Sequence, residues 1–156
     1  MMKKVLQLVL GLLTSYAEVA LAARAESGPQ DTVPGFKTNS DYSVLGAAKY
    51  IIVQALTTAA LQAIQATAAT SSTILGVLQN GPAVGEAMTI AYKGLSKIVA
   101  GGALSANAIV TTNASGRAAA VTSGDIAVGR VLEAAVSNGD VVTALLFPPF
   151  RWQGPA

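Results

Sequence analysis

The sequence contains no cysteine and no histidine, and together these absences remove most routes to catalysis. Without a thiol or an imidazole, the chain has no cysteine nucleophile, no histidine base, no disulfide and no zinc site of the usual composition. Acidic residues are also few: Asp and Glu together number 8, and they are scattered along the chain. We therefore predict that the protein is not an enzyme and holds no metal or cofactor.

Charge is scarce as well, because charged residues make up 12% of the chain, against about 25% in a typical soluble domain. The net charge is +2, and the Lys and Arg residues are dispersed rather than clustered. Nucleic-acid binding requires a concentrated positive surface, so we predict no nucleic-acid partner. A surface this poor in charge favours burial against other proteins in an assembly.

Among the features that are present, two stretches, residues 72–91 and 125–144, repeat one local pattern. In each, a short β-branched run ends near a glycine, a turn follows, and a Gly-acid pair, Gly85-Glu86 or Gly139-Asp140, precedes another apolar segment. Glycine suits such turns because it adopts positive φ without steric cost. The repeat predicts a β-sheet built from two similar halves, with both acids as solvated turn residues that share no chemistry.

Residues 1–27 have an apolar and a polar side when placed on a helix. The apolar side chains that recur at spacings of three and four are Leu6, Val9, Leu13 and Tyr16. We interpret the segment as an amphipathic helical arm whose apolar stripe binds a partner. Lys3-Lys4 followed by an apolar run also fits an N-terminal export signal. A membrane anchor is disfavoured, because the apolar run is shorter than the ~20 residues that span a bilayer, and we predict no membrane partner.

Residues 28–46 are rich in turn-forming and polar residues, and Pro29 and Pro34 oppose continuation of the helix. We predict an extended linker, which at ~3.3 Å per residue reaches tens of ångströms. Such a linker allows the arm to dock away from the body, on a neighbouring molecule.

Residues 47–147 have a β pattern, because β-branched and aromatic runs alternate with glycine-rich turns. The pattern predicts a small β-barrel or sandwich, in which Lys93-Gly94 forms a tight turn between two strands. Pro148 and Pro149 are predicted to end the last strand. Residues 148–156 then form an aromatic C-terminal tail, whose Phe150 and Trp152 either fold back over the body or bind a neighbour.

Four segments of the body occur in an order that resembles the capsid decoration, or cement, proteins of tailed bacteriophages, over about residues 47–146. They are ILGVLQNGPAVGE (74–86), KIVAGGALSA (97–106), TNASGR (112–117) and VGRVLEAAVSNGD (128–140). The resemblance implies a small β-rich protein that binds the outer surface of the capsid shell, commonly as a trimer where capsomers meet. It implies the major capsid protein and further copies of this chain as partners, in a virion assembled in the host cytoplasm. The arm lies outside the resemblance.

Two other functions stay open on the sequence. One is a secreted or periplasmic β-protein that carries an N-terminal signal peptide. The other is an enzyme that uses Ser96 and Lys97, although no recognisable motif surrounds these residues and we expect them at an exposed strand edge.

Overall fold

The computed structural model describes residues 30–43 and 49–154, and every regular element within them is a β-strand. The β-rich body predicted from the sequence is therefore confirmed, whereas the predicted helical arm lies outside the described residues. The strands are β1 Gln30–Val33, β2 Lys37–Thr38, β3 Ile52–Ala55, β4 Gln62–Gln65, β5 Ile74–Leu78, β6 Ile90–Val99, β7 Ile109–Thr112, β8 Ala118–Ala120, β9 Ile126–Val131 and β10 Val141–Arg151. β-Branched side chains recur in these segments because they pack well on a pleated surface; β7 consists of nothing else.

The strands form one sheet in the order β2-β4-β3-β5-β6-β10-β9-β7-β8, with β1 paired to β6. This order contains the same four-stranded unit twice, first as β3–β6 and then as β7–β10. In each unit the first strand pairs with both the second and the third, and the third pairs with the fourth. The repeated sequences form the hairpins β5–β6 and β9–β10. The prediction of two similar halves is confirmed, and the repeat extends to all four strands of each half.

Strand β6 joins the two units and changes its partners along its length. Ala91 pairs with β1 and β5, whereas Gly94 pairs with β1 and β10. Because a strand residue has one partner on each edge, β5 and β10 occupy the same edge of β6, one after the other. The register with β1 passes over Tyr92, which marks a bulge, and Gly94 has a φ of 98°. The predicted turn at Lys93-Gly94 is therefore wrong: the residues bend one continuous strand at the point where it passes from one unit to the other.

The inner face of the sheet encloses the main core, to which both units contribute. The sheet curves back on itself, since Ala118 of β8 bridges to Ala100 just after β6, and Gly101 N donates to Ala118 O at 2.8 Å. The enclosed side chains include Ile52, Val77, Ile98, Val110, Val128, Val131 and Leu146. Each such burial contributes roughly 1.5–3 kcal/mol, so this core is the main source of stability.

A second apolar cluster lies on the outer face of the first unit, where residues 30–43 cover it. Val33, Phe36 and Tyr42 pack there against side chains that include Val53 and Leu78. The Tyr42 hydroxyl also accepts a hydrogen bond from the Gln65 backbone N–H at 2.7 Å. Residues 30–43 therefore do not form the free linker that their polar composition predicts, because three apolar side chains among them anchor the segment to the sheet.

Strand β10 continues through Pro148 and Pro149 to Arg151, so the prediction that the prolines end this strand is wrong. Pairing of β10 with β6 ends at Leu146, and its register with β9 is interrupted between Leu146 and Phe150. The prolines thus occupy the stretch of β10 that pairs with neither neighbour. There the missing N–H removes no ladder hydrogen bond.

Candidate interaction surfaces

The two acids of the repeat each hold the loop of their own hairpin. Glu86 Oε2 accepts a hydrogen bond from Ala83 N at 2.8 Å, between β5 and β6. Asp140 Oδ2 accepts from the backbone N–H groups of Val136 and Ser137, both at 2.8 Å, between β9 and β10. Both residues are turn residues, as the sequence predicts, and each carboxylate serves its own loop.

Among residues 30–43 and 49–154, three carboxyl groups have a shifted pKa, and every shift is downward. Hydrogen bonds from the backbone of Ser137 and Val136 lower the pKa of Asp140. Hydrogen bonds from Thr143 lower that of Glu133, and hydrogen bonds from Ser43 lower that of Asp41. A lowered pKa stabilises the charged, hydrogen-bond-accepting form. These groups are therefore suited to fixing loops rather than to donating protons at neutral pH.

The side chains of Ser96 and Lys97 lie on opposite faces of β6 and have different hydrogen-bond partners. Ser96 is buried on the inner face, where its Oγ accepts from Gln79 Nε2 and donates to Lys97 O, both at 2.9 Å. Lys97 lies on the opposite face, because neighbouring strand residues alternate, and its Nζ donates to Thr143 Oγ1 at 3.0 Å. The expectation that Ser96 lies at an exposed edge is wrong, since Ser96 is 2% exposed and lies opposite Ala144 of β10.

Two further kinds of site are absent from residues 30–43 and 49–154. No three acidic side chains in this part of the chain are grouped so that they could ligate a metal ion. The same residues include no helix with the length and apolarity needed to cross a bilayer.

The aromatic residues at the C-terminal end of β10 form a cluster on the body. The ring centroids of Phe147 and Phe150 are 5.4 Å apart, and those of Phe150 and Trp152 are 6.2 Å apart. Trp152 N donates to Asp125 O at 2.8 Å, so the tail folds back on its own chain, one of the two alternatives left open by the sequence. Phe150 is nonetheless 45% exposed, so it has surface left with which to bind another segment.

The outer face of the second unit carries exposed apolar side chains, in contrast to the covered outer face of the first. On β10, Ala144 and Leu146 point inward and are buried, whereas Leu145 between them points outward. Leu145 lies beside Leu95 of β6 and Arg130 of β9. We call this surface the bare face and define it by four side chains, with the exposed fraction of each: Leu132 (42%), Val141 (51%), Leu145 (45%) and Phe150 (45%).

Of the predicted partner-binding residues, the structure brings Phe150 and Trp152 together, while the four residues of the apolar stripe lie outside the described residues. The bare face is not among the residues predicted from the sequence. Its signal is the run Val141–Phe147, in which Thr143 is the only polar residue, so both faces of the strand are apolar. Such a strand is typical of a sheet that is covered on both sides.

Comparison with known proteins gives a structural likeness only. No family model matches the chain, and no curated protein matches it. The fold is similar to that of the N base of the head fiber protein gp8.5 of bacteriophage phi29, with a TM-score of 0.56 and 14% sequence identity. The match covers 82% of this chain and 100% of that one. The chain therefore shares its fold with the whole of that base.

Proposed function

We propose that this protein is a structural cement protein of a tailed-phage head, which binds the outer surface of the capsid shell between capsomers and stabilises it. The observation that carries the proposal is the fold shared with the whole head-fiber base. The ordered segments that resemble cement proteins also support it, because they are a signal in the sequence and lie in the same β-body that gives the structural match.

The physical character of the body suits such a role. A protein that reinforces a shell needs a rigid scaffold and contact surfaces, and its loops here are fixed by carboxylates rather than left mobile around a cleft. On a symmetric shell each copy can bind modestly, because contacts to several neighbours act together. We therefore propose the major capsid protein and further copies of this chain as partners, with homotrimers where capsomers meet, and no catalytic role.

The test is binding to capsids assembled from the major capsid protein of the same phage without this chain. Purified protein should co-sediment with them to saturation, raise the temperature at which they rupture, and add density on the outer surface in groups of three. Native mass spectrometry of the free protein should show a trimer. A monomer that leaves the capsids undecorated would contradict the proposal.

The alternative is an exported β-protein, which is favoured by Lys3-Lys4 and the apolar run that follows. N-terminal sequencing of protein made in its own host separates the two functions. Export predicts a mature chain that begins near Glu26, whereas the cement proposal predicts that the residues of the apolar stripe are retained.

A further inference from the structure

The two units differ in what covers their outer faces. On the first unit, Val33, Phe36 and Tyr42 fill the outer face with apolar side chains from the preceding chain. On the second unit, the bare face has no such cover from residues 30–43 or 49–154, although its strand β10 is apolar on both sides. A sheet face of this kind is stable in water only when another layer packs on it.

Strand β1 begins close to the bare face. Gln30 lies opposite Gly94 of β6, and its side-chain amide donates to Leu95 O. Leu95 in turn lies opposite Leu145 of β10, which belongs to the bare face. Since neighbouring strands are about 4.8 Å apart, Gln30 is about 10 Å from β10. Gly28 and Pro29 alone separate Gln30 from the predicted arm, and they span at most about 7 Å.

The arm has the pattern and the length that this face requires. As a helix, its stripe from Leu6 to Tyr16 is about 15 Å long, at 1.5 Å per residue. The outward row of β10 from Val141 to Phe147 is about 20 Å long, at 3.3 Å per residue. A tether as short as Gly28-Pro29 also gives the arm a high effective concentration at its own sheet, compared with the sheet of another molecule.

We propose that residues 1–27 pack as an amphipathic helix on the bare face of their own chain, with the apolar stripe against Leu145 and Phe150. The apolar stripe then binds the chain's own sheet, whereas the sequence alone predicts that it binds a neighbouring molecule. That prediction depended on a long free linker, which residues 30–43 do not form. The proposal is independent of the capsid role, because it concerns the free protein.

Disulfide trapping in the full chain tests the contact directly, and the natural sequence has no cysteine that would interfere. The double variant Leu13→Cys with Leu145→Cys should lose its free thiols on mild oxidation and still migrate as a single chain on denaturing, non-reducing electrophoresis. The matched control is Thr14→Cys with Leu145→Cys, in which the cysteine of the arm lies on the polar side and should stay free. Thiols that stay free in the first variant would overturn the proposal.

A mixing experiment separates the arm's own sheet from that of a second copy. Equal amounts of the single variants Leu13→Cys and Leu145→Cys are mixed, incubated and oxidised. The proposal expects no disulfide between the two variants, whereas covalent heterodimers would show that the arm packs on a neighbouring copy and would overturn it.

The single Trp provides a second readout in the free, full-length protein. Trp152 lies in the aromatic cluster beside Phe150, so displacing the arm should expose it further to water. Leu13→Asp should shift its emission to the red and increase quenching by iodide, while Thr14→Asp should leave both unchanged. Unchanged emission in Leu13→Asp would contradict the proposal.

Discussion

Gly76 in β5 lies against the backbone of β6, and replacing it with alanine tests the packing of the first hairpin. A Cβ atom at Gly76 would collide with Ala91 O and would lie 2.9 Å from Ala91 C and 3.1 Å from Tyr92 Cα. All three are backbone atoms, so no side-chain rotation relieves the contact and the strands must separate. Overpacking costs about 1–3 kcal/mol, and a backbone collision belongs at the upper end. For a chain of 156 residues, about 3 kcal/mol lowers Tm by about 6–12 °C.

Two other glycines make this prediction quantitative. Gly129 occupies the corresponding hairpin β9–β10, and its Cβ would lie 2.9 Å from Leu145 O, so we expect Gly129→Ala to cost about 2 kcal/mol. Gly102 has nothing within 4 Å of its Cβ position, so Gly102→Ala should leave stability unchanged or raise it by up to about 1 kcal/mol. Urea unfolding followed by the fluorescence of Trp152, with circular dichroism as a second probe, measures all three variants. If Gly76→Ala is as stable as Gly102→Ala, the close approach of β5 to β6 is not a feature of the protein.

Three more predictions test other parts of the fold. Tyr42→Phe should destabilise the protein by about 1 kcal/mol in urea unfolding, because it leaves the partly buried N–H of Gln65 without its acceptor. Leu146→Ala, at a core position that is 2% exposed, should cost about 2–5 kcal/mol by the same measurement. Asp140→Asn should lower Tm at pH 7, since hydrogen bonds to the carboxylate lower its pKa below 3.8 in the folded state and so stabilise that state above this pH. The difference in Tm from the unmodified protein should narrow as the pH falls below 3.8, and a constant difference would contradict the assignment.

The sequence predicts the β class and the repeat because both depend on local signals. β-Branched runs mark β3, β5, β7 and β9, and the Gly-acid pairs mark the ends of two loops. The predictions are wrong where one residue type occurs in two kinds of local structure. The sequence predicts a turn at Gly94, but in the structure Gly94 bends a continuous strand. The strand continues because β10 and β5 pair with successive parts of one edge of β6. The partner that pairs with each edge of a strand is set by residues far away in the sequence, so no local pattern predicts it.

The linker prediction for residues 30–43 fails for the same reason, and so does the prediction of the contact surfaces, which omits the bare face. Polar composition suggested a free segment, but Val33, Phe36 and Tyr42 are sufficient to hold it, because the sheet provides an apolar surface that the local sequence does not reveal. The candidate site depends on such long-range placement throughout. Phe150 is recognisable as an aromatic residue near the end of the chain, yet its neighbours become apparent only when β10 is seen to continue past the prolines.

The repeat and the N-terminal chain make different contributions to this molecule. Duplication supplies two units of the same strand order, each with an inner face that the other unit helps to cover. It does not supply cover for the outer faces, because each unit has the same four strands and no additional layer. On the first unit that cover comes from residues 30–43, which precede the repeat. The two halves are therefore equivalent in topology but not in surface, because residues 30–43 cover the outer face of the first unit and not that of the second.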